Sequence, residues 1–177
     1  MPRVKIRVSH LSRQPRFSGD DDALGEEIWS ELDRQLRRQA EDKRVPRPAV
    51  LTLFPEVVQV VDVSPLLDVV PDHHRAVSSF ASQDGAEGLA LAGVLLHRRN
   101  GALLGRDAVV FIEWPDGRWW WCRRPLGVPG TPVVDADDTV ERAIDGAAKP
   151  SGLGGWFARA RFEQMRIKLD GGPGEVN

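Results

Sequence analysis

Two segments rich in β-branched and aromatic residues are joined by the tripeptide Pro115-Asp116-Gly117. Proline and aspartate favour the early positions of a type I turn, and glycine readily adopts the left-handed conformation that closes it. The sequence therefore predicts a β-hairpin from Val109 to Arg124. The turn sets the following pairs across the hairpin: Glu113–Trp119, Ile112–Trp120, Phe111–Trp121, Val110–Cys122 and Val109–Arg123.

The second arm of this hairpin contains three consecutive tryptophans, Trp119, Trp120 and Trp121. Successive side chains of a strand point to opposite faces of the sheet, so the three indoles cannot share one face. Both faces are apolar near the turn. This pattern predicts a sheet that is covered on both sides.

The remaining periodicities predict an α+β fold. Apolar residues recur every four positions from Leu24 to Ala40, which predicts a long amphipathic helix over about residues 22–43. Residues 89–96 are apolar on all sides and fit either a strand or a buried helix. We predict a mostly antiparallel sheet of about five or six strands, with the long helix packed on one face and shorter helices around it. Strand patterns cover residues 3–9, 49–54, 57–63, 107–114 and 118–124.

Shorter patterns predict further helices. Asp72 is placed to cap a helix that follows it, and Asp138 with Glu141 resembles a capping box before a short helix through Ile144. The C-terminal segment fits one helical face, although part of it also alternates as a strand would. We interpret residues 1–150 as one domain and residues 151–177 as a C-terminal helix or extension with a frayed tail. The residues of that helical face are Ala158, Phe162, Met165 and Leu169.

Composition limits the classes of function. The formal net charge of −2 argues against a dedicated nucleic-acid or membrane-surface binder. Cys122 is the single cysteine, which excludes an intrachain disulfide and a cysteine-based zinc site and is typical of a reducing compartment. No run reaches about 18 apolar residues, and the first residues lack the apolar core of a signal peptide. Arginine is abundant and lysine rare, as in proteins of GC-rich bacteria, so we expect a bacterial cytoplasmic protein.

The sequence contains no phosphate-binding loop, no hydrolase nucleophile elbow and no helical zinc-binding histidine pair. We therefore predict a non-catalytic accessory or adaptor protein, without cofactor or metal, that binds a protein partner or a second copy of itself. Tryptophan and arginine dominate the energetics of protein interfaces, so the hairpin is the candidate binding region. The competing interpretation is that its tryptophans are core residues. The candidate partner-binding residues are Arg118, Trp120, Trp121, Arg123 and Arg124.

Two alternative functions use other residues. A metal-dependent hydrolase would draw its ligands from distant segments: His73, His74, Asp84, Glu87 and His97. A nucleic-acid-binding subunit would use aromatic side chains between basic ones, which can stack bases and hold phosphates. Its basic residues would be Arg98, Arg99, Arg106, Arg118, Arg123 and Arg124.

Overall fold

The computed structural model of the chain describes residues 8–12, 21–42, 47–67, 72–100, 102–127, 141–144 and 153–170. These residues form an α+β fold around one antiparallel sheet, as the sequence predicts. The strands are β1 (Val8–Ser12), β2 (Ala49–Leu53), β3 (Val57–Asp62), β4 (Gly88–Arg99), β5 (Ala102–Glu113), β6 (Trp119–Gly127) and β7 (Glu141–Ile144). The helices are α1 (Asp21–Asp42), α2 (Ser64–Leu67), α3 (His73–Ala81) and α4 (Trp156–Asp170).

The sheet has the strand order β1-β3-β2-β4-β5-β6-β7, and each neighbouring pair is antiparallel. Within the described residues it contains seven strands, more than the five or six expected from the sequence. Residues 89–96 lie in a strand, and the helical alternative for them was wrong. β1 begins at Val8, and residues 3–7 of the predicted first strand lie outside the described residues.

The additional strand is β7, where the sequence predicts a short helix through Ile144. That prediction was wrong, because Glu141–Ile144 pairs with Trp120–Arg123 of β6. Backbone hydrogen bonding to the outer edge of β6 outweighs the local helix-capping signal, since strand formation depends on what lies beside the segment. Asp138, the other half of the predicted capping box, lies outside the described residues.

The β5–β6 hairpin has the predicted register at every pair from Val109–Arg123 to Glu113–Trp119. Its turn is closed by Gly117, whose φ of 91° lies in the left-handed region. The N–H of Gly117 donates to the carbonyl oxygen of Trp114 over 3.0 Å. The turn residues therefore determine which side chains of β6 face each side of the sheet.

One face of the sheet is covered by α1. Side chains of α1 are described from residue 23 to residue 36, and those of Leu24, Leu32 and Leu36 are buried. They pack on the side chains of β5 and β6 that point to this face. The helix approaches so closely at Gly25 that a Cβ atom there would overlap the indole of Trp120. The rest of the predicted apolar stripe, up to residue 43, lies outside the described side chains.

The opposite face is covered by α3 and α4, so the expectation that both faces are covered is confirmed. α3 begins at the predicted cap: the carboxylate of Asp72 accepts a hydrogen bond from the N–H of Arg75 over 2.9 Å. Trp156 of α4 packs edge-on against Phe111 of β5, with 5.2 Å between ring centres. None of the helices in the described part of the chain is long and apolar enough to cross a membrane.

Candidate partner-binding surface

The hairpin divides its five predicted binding residues between the two faces of the sheet and the turn. Trp120 and Arg124 point toward α1 and are only 2% and 3% exposed. Nη2 of Arg124 lies 2.6 Å from Oδ1 of Asp33, and its guanidinium lies 5.9 Å from the ring centre of Trp29. Both side chains belong to the core beneath α1 and are not available to a partner in this structure, which corrects this part of the predicted surface.

Trp121 and Arg123 point to the opposite face, and both are half-buried. The guanidinium of Arg123 lies 5.6 Å from the ring centre of Trp121, and its Nη1 is 3.5 Å from Oδ2 of Asp107. Trp121 also packs against the apolar cluster beneath α3 and α4. The side chains of Trp121 and Arg123 therefore contribute to the core and expose only part of their surface.

Arg118 stands at the turn and is exposed. Its Nε donates to Oδ2 of Asp116 over 2.7 Å, and its guanidinium lies 5.5 Å from the ring centre of Trp114. The hydrogen bond from the Arg118 side chain is the main reason why the pKa of Asp116 is lowered from its usual value. Arg118 thus remains accessible, but its charge is paired within the turn.

The helix α4 is apolar on two opposite faces. Its inner face packs on the sheet, whereas Phe162 and Met165 point outward and are 62% and 56% exposed. They are the exposed large hydrophobic side chains in the part of the chain that the structure describes. The sequence predicts that Phe162 and Met165 share one helical face with Ala158 and Leu169. The structure shows that this face points away from the sheet. The side chain of Leu169 is not among the described side chains. The buried residues of the inner face are Trp156, Phe157 and Ala160.

Glu113, at the end of β5, holds the start of α4 against the sheet. Its carboxylate is buried and accepts hydrogen bonds from the backbone N–H groups of Gly155, over 2.6 Å, and Trp156, over 2.8 Å. A carboxylate at this position satisfies free N–H donors and interacts favourably with the helix dipole. This role of Glu113 was not predicted from the sequence, although an acidic residue opposite Trp119 in an apolar hairpin is a signal for it.

On one side of α4, polar side chains join it to α3. Nη2 of Arg159 lies 2.7 Å from Oδ2 of Asp72, and its Nε donates to Oε1 of Glu163 over 3.3 Å. Nε2 of His74 lies 2.7 Å from the carbonyl oxygen of Gly154 and must donate, because a carbonyl oxygen only accepts. These contacts fix the position of α4 beside α3 and leave its outer face free of α3.

On the other side of α4, Nη1 of Arg161 donates to the carbonyl oxygen of Pro115 over 3.0 Å. This bond places the outer face of α4 beside the hairpin turn. We call the exposed area formed by Ala158, Arg161, Phe162 and Met165 the α4 surface.

Comparison with known proteins found no match among protein-family models, curated proteins or solved structures.

The structure does not bring together the residues of the metal-dependent alternative. His73 and His74 begin α3, whereas Asp84 and Glu87 follow its other end. The two pairs lie at opposite ends of α3, which has nine residues and is about 13 Å long. His97 lies in β4, and its side chain is outside the described ones. Within the described ranges, no three His, Cys, Asp or Glu side chains are grouped so that they could hold a metal ion.

The basic residues of the nucleic-acid alternative are also dispersed. Arg98 and Arg99 lie near the β4–β5 connection, whereas Arg118 lies at the β5–β6 turn. β5 spans the 12 residues between these two ends, a length of about 40 Å. Arg123 and Arg124 also pair with aspartates inside the fold, Asp107 and Asp33, and Arg118 pairs with Asp116 at the exposed turn.

Proposed function

We propose that this chain is a non-catalytic accessory protein of the bacterial cytoplasm that binds another protein through the α4 surface and the adjoining hairpin turn. The observation that carries this proposal is the second apolar face of α4, on which Phe162 and Met165 are exposed. Apolar patches left exposed on a protein surface are typical of interaction sites. A partner that covers the outer face of α4 would bury the apolar side chains of Phe162 and Met165.

Phe162 exposes enough apolar surface to make a substantial contribution to binding. A phenylalanine contributes about 200 Å² of surface, so the 62% exposure of Phe162 leaves about 120 Å² to cover. Covering it would contribute about 3 kcal/mol, at roughly 25 cal/mol per Å². That is the size of a dominant interface residue, and Met165 lies one helical turn away.

The hairpin has a narrower part in this proposal than the sequence indicates. Arg118 lies at the turn that Arg161 contacts through Pro115, so it is the hairpin residue that adjoins the α4 surface. Trp120 and Arg124 support the hairpin from beneath α1. Trp121 and Arg123 retain exposed parts on the face that α4 covers, and we keep them as secondary contacts.

The proposal is tested by placing a photo-crosslinking amino acid at position 162 or 165 in the source organism. Position 30 is the control, because Ser30 is exposed on α1. We expect a discrete crosslinked protein from the two α4 positions and none from position 30. The purified partner should then bind the Phe162→Ala variant at least tenfold more weakly, a change of about 1.4 kcal/mol, and bind Ser30→Ala as it binds the wild type.

Phe162→Ala should leave thermal unfolding almost unchanged, because an exposed side chain contributes little to folding. Equal crosslinking from all three positions, or binding that does not depend on Phe162, would overturn the proposal. A large loss of stability in Phe162→Ala would also count against it, because that result would make Phe162 a core residue.

A further inference from the structure

The charges beside the α4 surface indicate the chemistry of its partner. We infer that the partner offers an apolar surface bordered by carboxylates, and that Arg161 is the residue that faces those carboxylates. This inference rests on the proposed function, because it concerns the same surface.

The border of α4 next to α3 is electrically balanced. Two arginines there face two acidic side chains: Arg159 contacts Asp72 and Glu163, and Nε of Arg75 lies 3.8 Å from Oε1 of Glu163. Each charge on this border has an opposite charge close by. A partner that approaches this side meets a neutral network, which favours neither sign of charge.

The border next to the hairpin turn is not balanced. Arg161 is exposed, and its guanidinium donates to a neutral acceptor, the carbonyl oxygen of Pro115. A guanidinium has five N–H donors, so most of those of Arg161 remain available. The neighbouring Arg118 is already neutralised by Asp116. One positive charge therefore remains beside Phe162, and the paired oxygens of a carboxylate match the fork of a guanidinium.

A second copy of this chain does not fit the α4 surface well. Helical spacing places Arg161 on the border of the outer face next to the hairpin turn, where it is exposed. When two copies of α4 pack face to face in the antiparallel orientation, their two Arg161 borders meet. Like charges placed close together oppose association, whereas an acidic partner gains from the same arrangement.

The inference is tested with a displayed library of amphipathic helical peptides that share an apolar stripe and have randomised flanking positions. The full chain selects from this library as the wild type, as Phe162→Ala, as Arg161→Gln and as the control Arg34→Gln. Arg34 is a matched control, because it is an exposed arginine on α1. Thermal unfolding confirms that each variant is folded before it is used.

We expect the wild type and Arg34→Gln to enrich peptides whose apolar stripe is flanked by Asp and Glu. Phe162→Ala should lose the enrichment, whereas Arg161→Gln should keep the apolar stripe and lose the acidic excess. An enriched acidic peptide should bind Arg161→Gln about two- to five-fold more weakly, as expected for one exposed ion pair. High salt should reduce this difference.

The unfavourable outcomes separate the two proposals. If no peptide is enriched in a way that depends on Phe162, the proposed function fails. If enrichment depends on Phe162 but shows no acidic excess, the proposed function stands and the inference about the partner fails. If light scattering shows a dimer that Phe162→Ala abolishes, a second copy occupies the surface and the inference also fails.

Discussion

Replacing Glu113 by alanine should loosen the start of α4 from the sheet. The buried carboxylate accepts two backbone N–H groups, and the substitution removes both hydrogen bonds at once. The N–H of Trp156 lies in a buried residue and would lose its partner at a cost of about 1–3 kcal/mol, while the half-buried Gly155 can turn to water. Loss of the negative charge at the helix start adds about 1 kcal/mol. We expect the free energy of unfolding to fall by about 3 kcal/mol in total.

Denaturant titration followed by tryptophan fluorescence measures this loss, and amide hydrogen exchange at residues 155 and 156 shows whether it is local. Glu113→Gln is the matched control, because it keeps the side-chain size and one acceptor oxygen but turns an amide donor toward the second N–H. Its loss should be smaller than that of Glu113→Ala. A loss below about 0.5 kcal/mol in Glu113→Ala, the range of ordinary surface substitutions, would refute the anchoring role.

Three further results are expected. Trp120→Ala should lower the free energy of unfolding by about 3–5 kcal/mol, because it empties a fully enclosed site, whereas Trp121→Ala should cost clearly less. Equal losses in denaturant titrations would contradict the assignment of Trp120 to the core and of Trp121 to a half-buried position. The buried thiol of Cys122 should react with a thiol reagent only at the rate of unfolding, and fast labelling of the native protein would show that the core beneath α1 opens readily. The hydrogen bond from the N–H of Arg75 is the main cause that lowers the pKa of Asp72 in the folded protein. The stability that Asp72 contributes should therefore be complete above its unfolded pKa of about 3.9 and be lost as pH falls through the lower folded pKa. Asp72→Asn should remove this part of the acid dependence of stability, and an unchanged pH profile would contradict this capping contribution.

The hairpin could be predicted in detail because its information is local. Pro115-Asp116-Gly117 fixes the turn, and the alternation of side chains along each arm then fixes the register. Residues 141–144 could not be predicted in the same way. Their local pattern favours a helix, but the edge of β6 offers strand pairing, and nothing in the short segment itself shows that this edge is near.

The binding surface was harder to predict because periodicity shows which residues share a face but not what lies against that face. Ala158, Phe162 and Met165 do share a face, yet the sheet contacts the other side of α4. Arg124 is a second example: its partner Asp33 lies far away in the sequence, so its charge could not be recognised as buried. Local composition therefore indicated a basic aromatic strip on the hairpin, whereas the fold divides those side chains between two faces.

The contact between Gly25 and Trp120 should make these two positions, which are distant in the sequence, evolve together. The indole occupies the space that any side chain at position 25 would need, so the two positions share a fixed volume. A larger residue at position 25 becomes tolerable only when the ring at position 120 becomes smaller. Relatives of this chain should therefore vary at these two positions together or not at all, and their pairing would identify the α1–β6 packing in a sequence whose structure has not been determined.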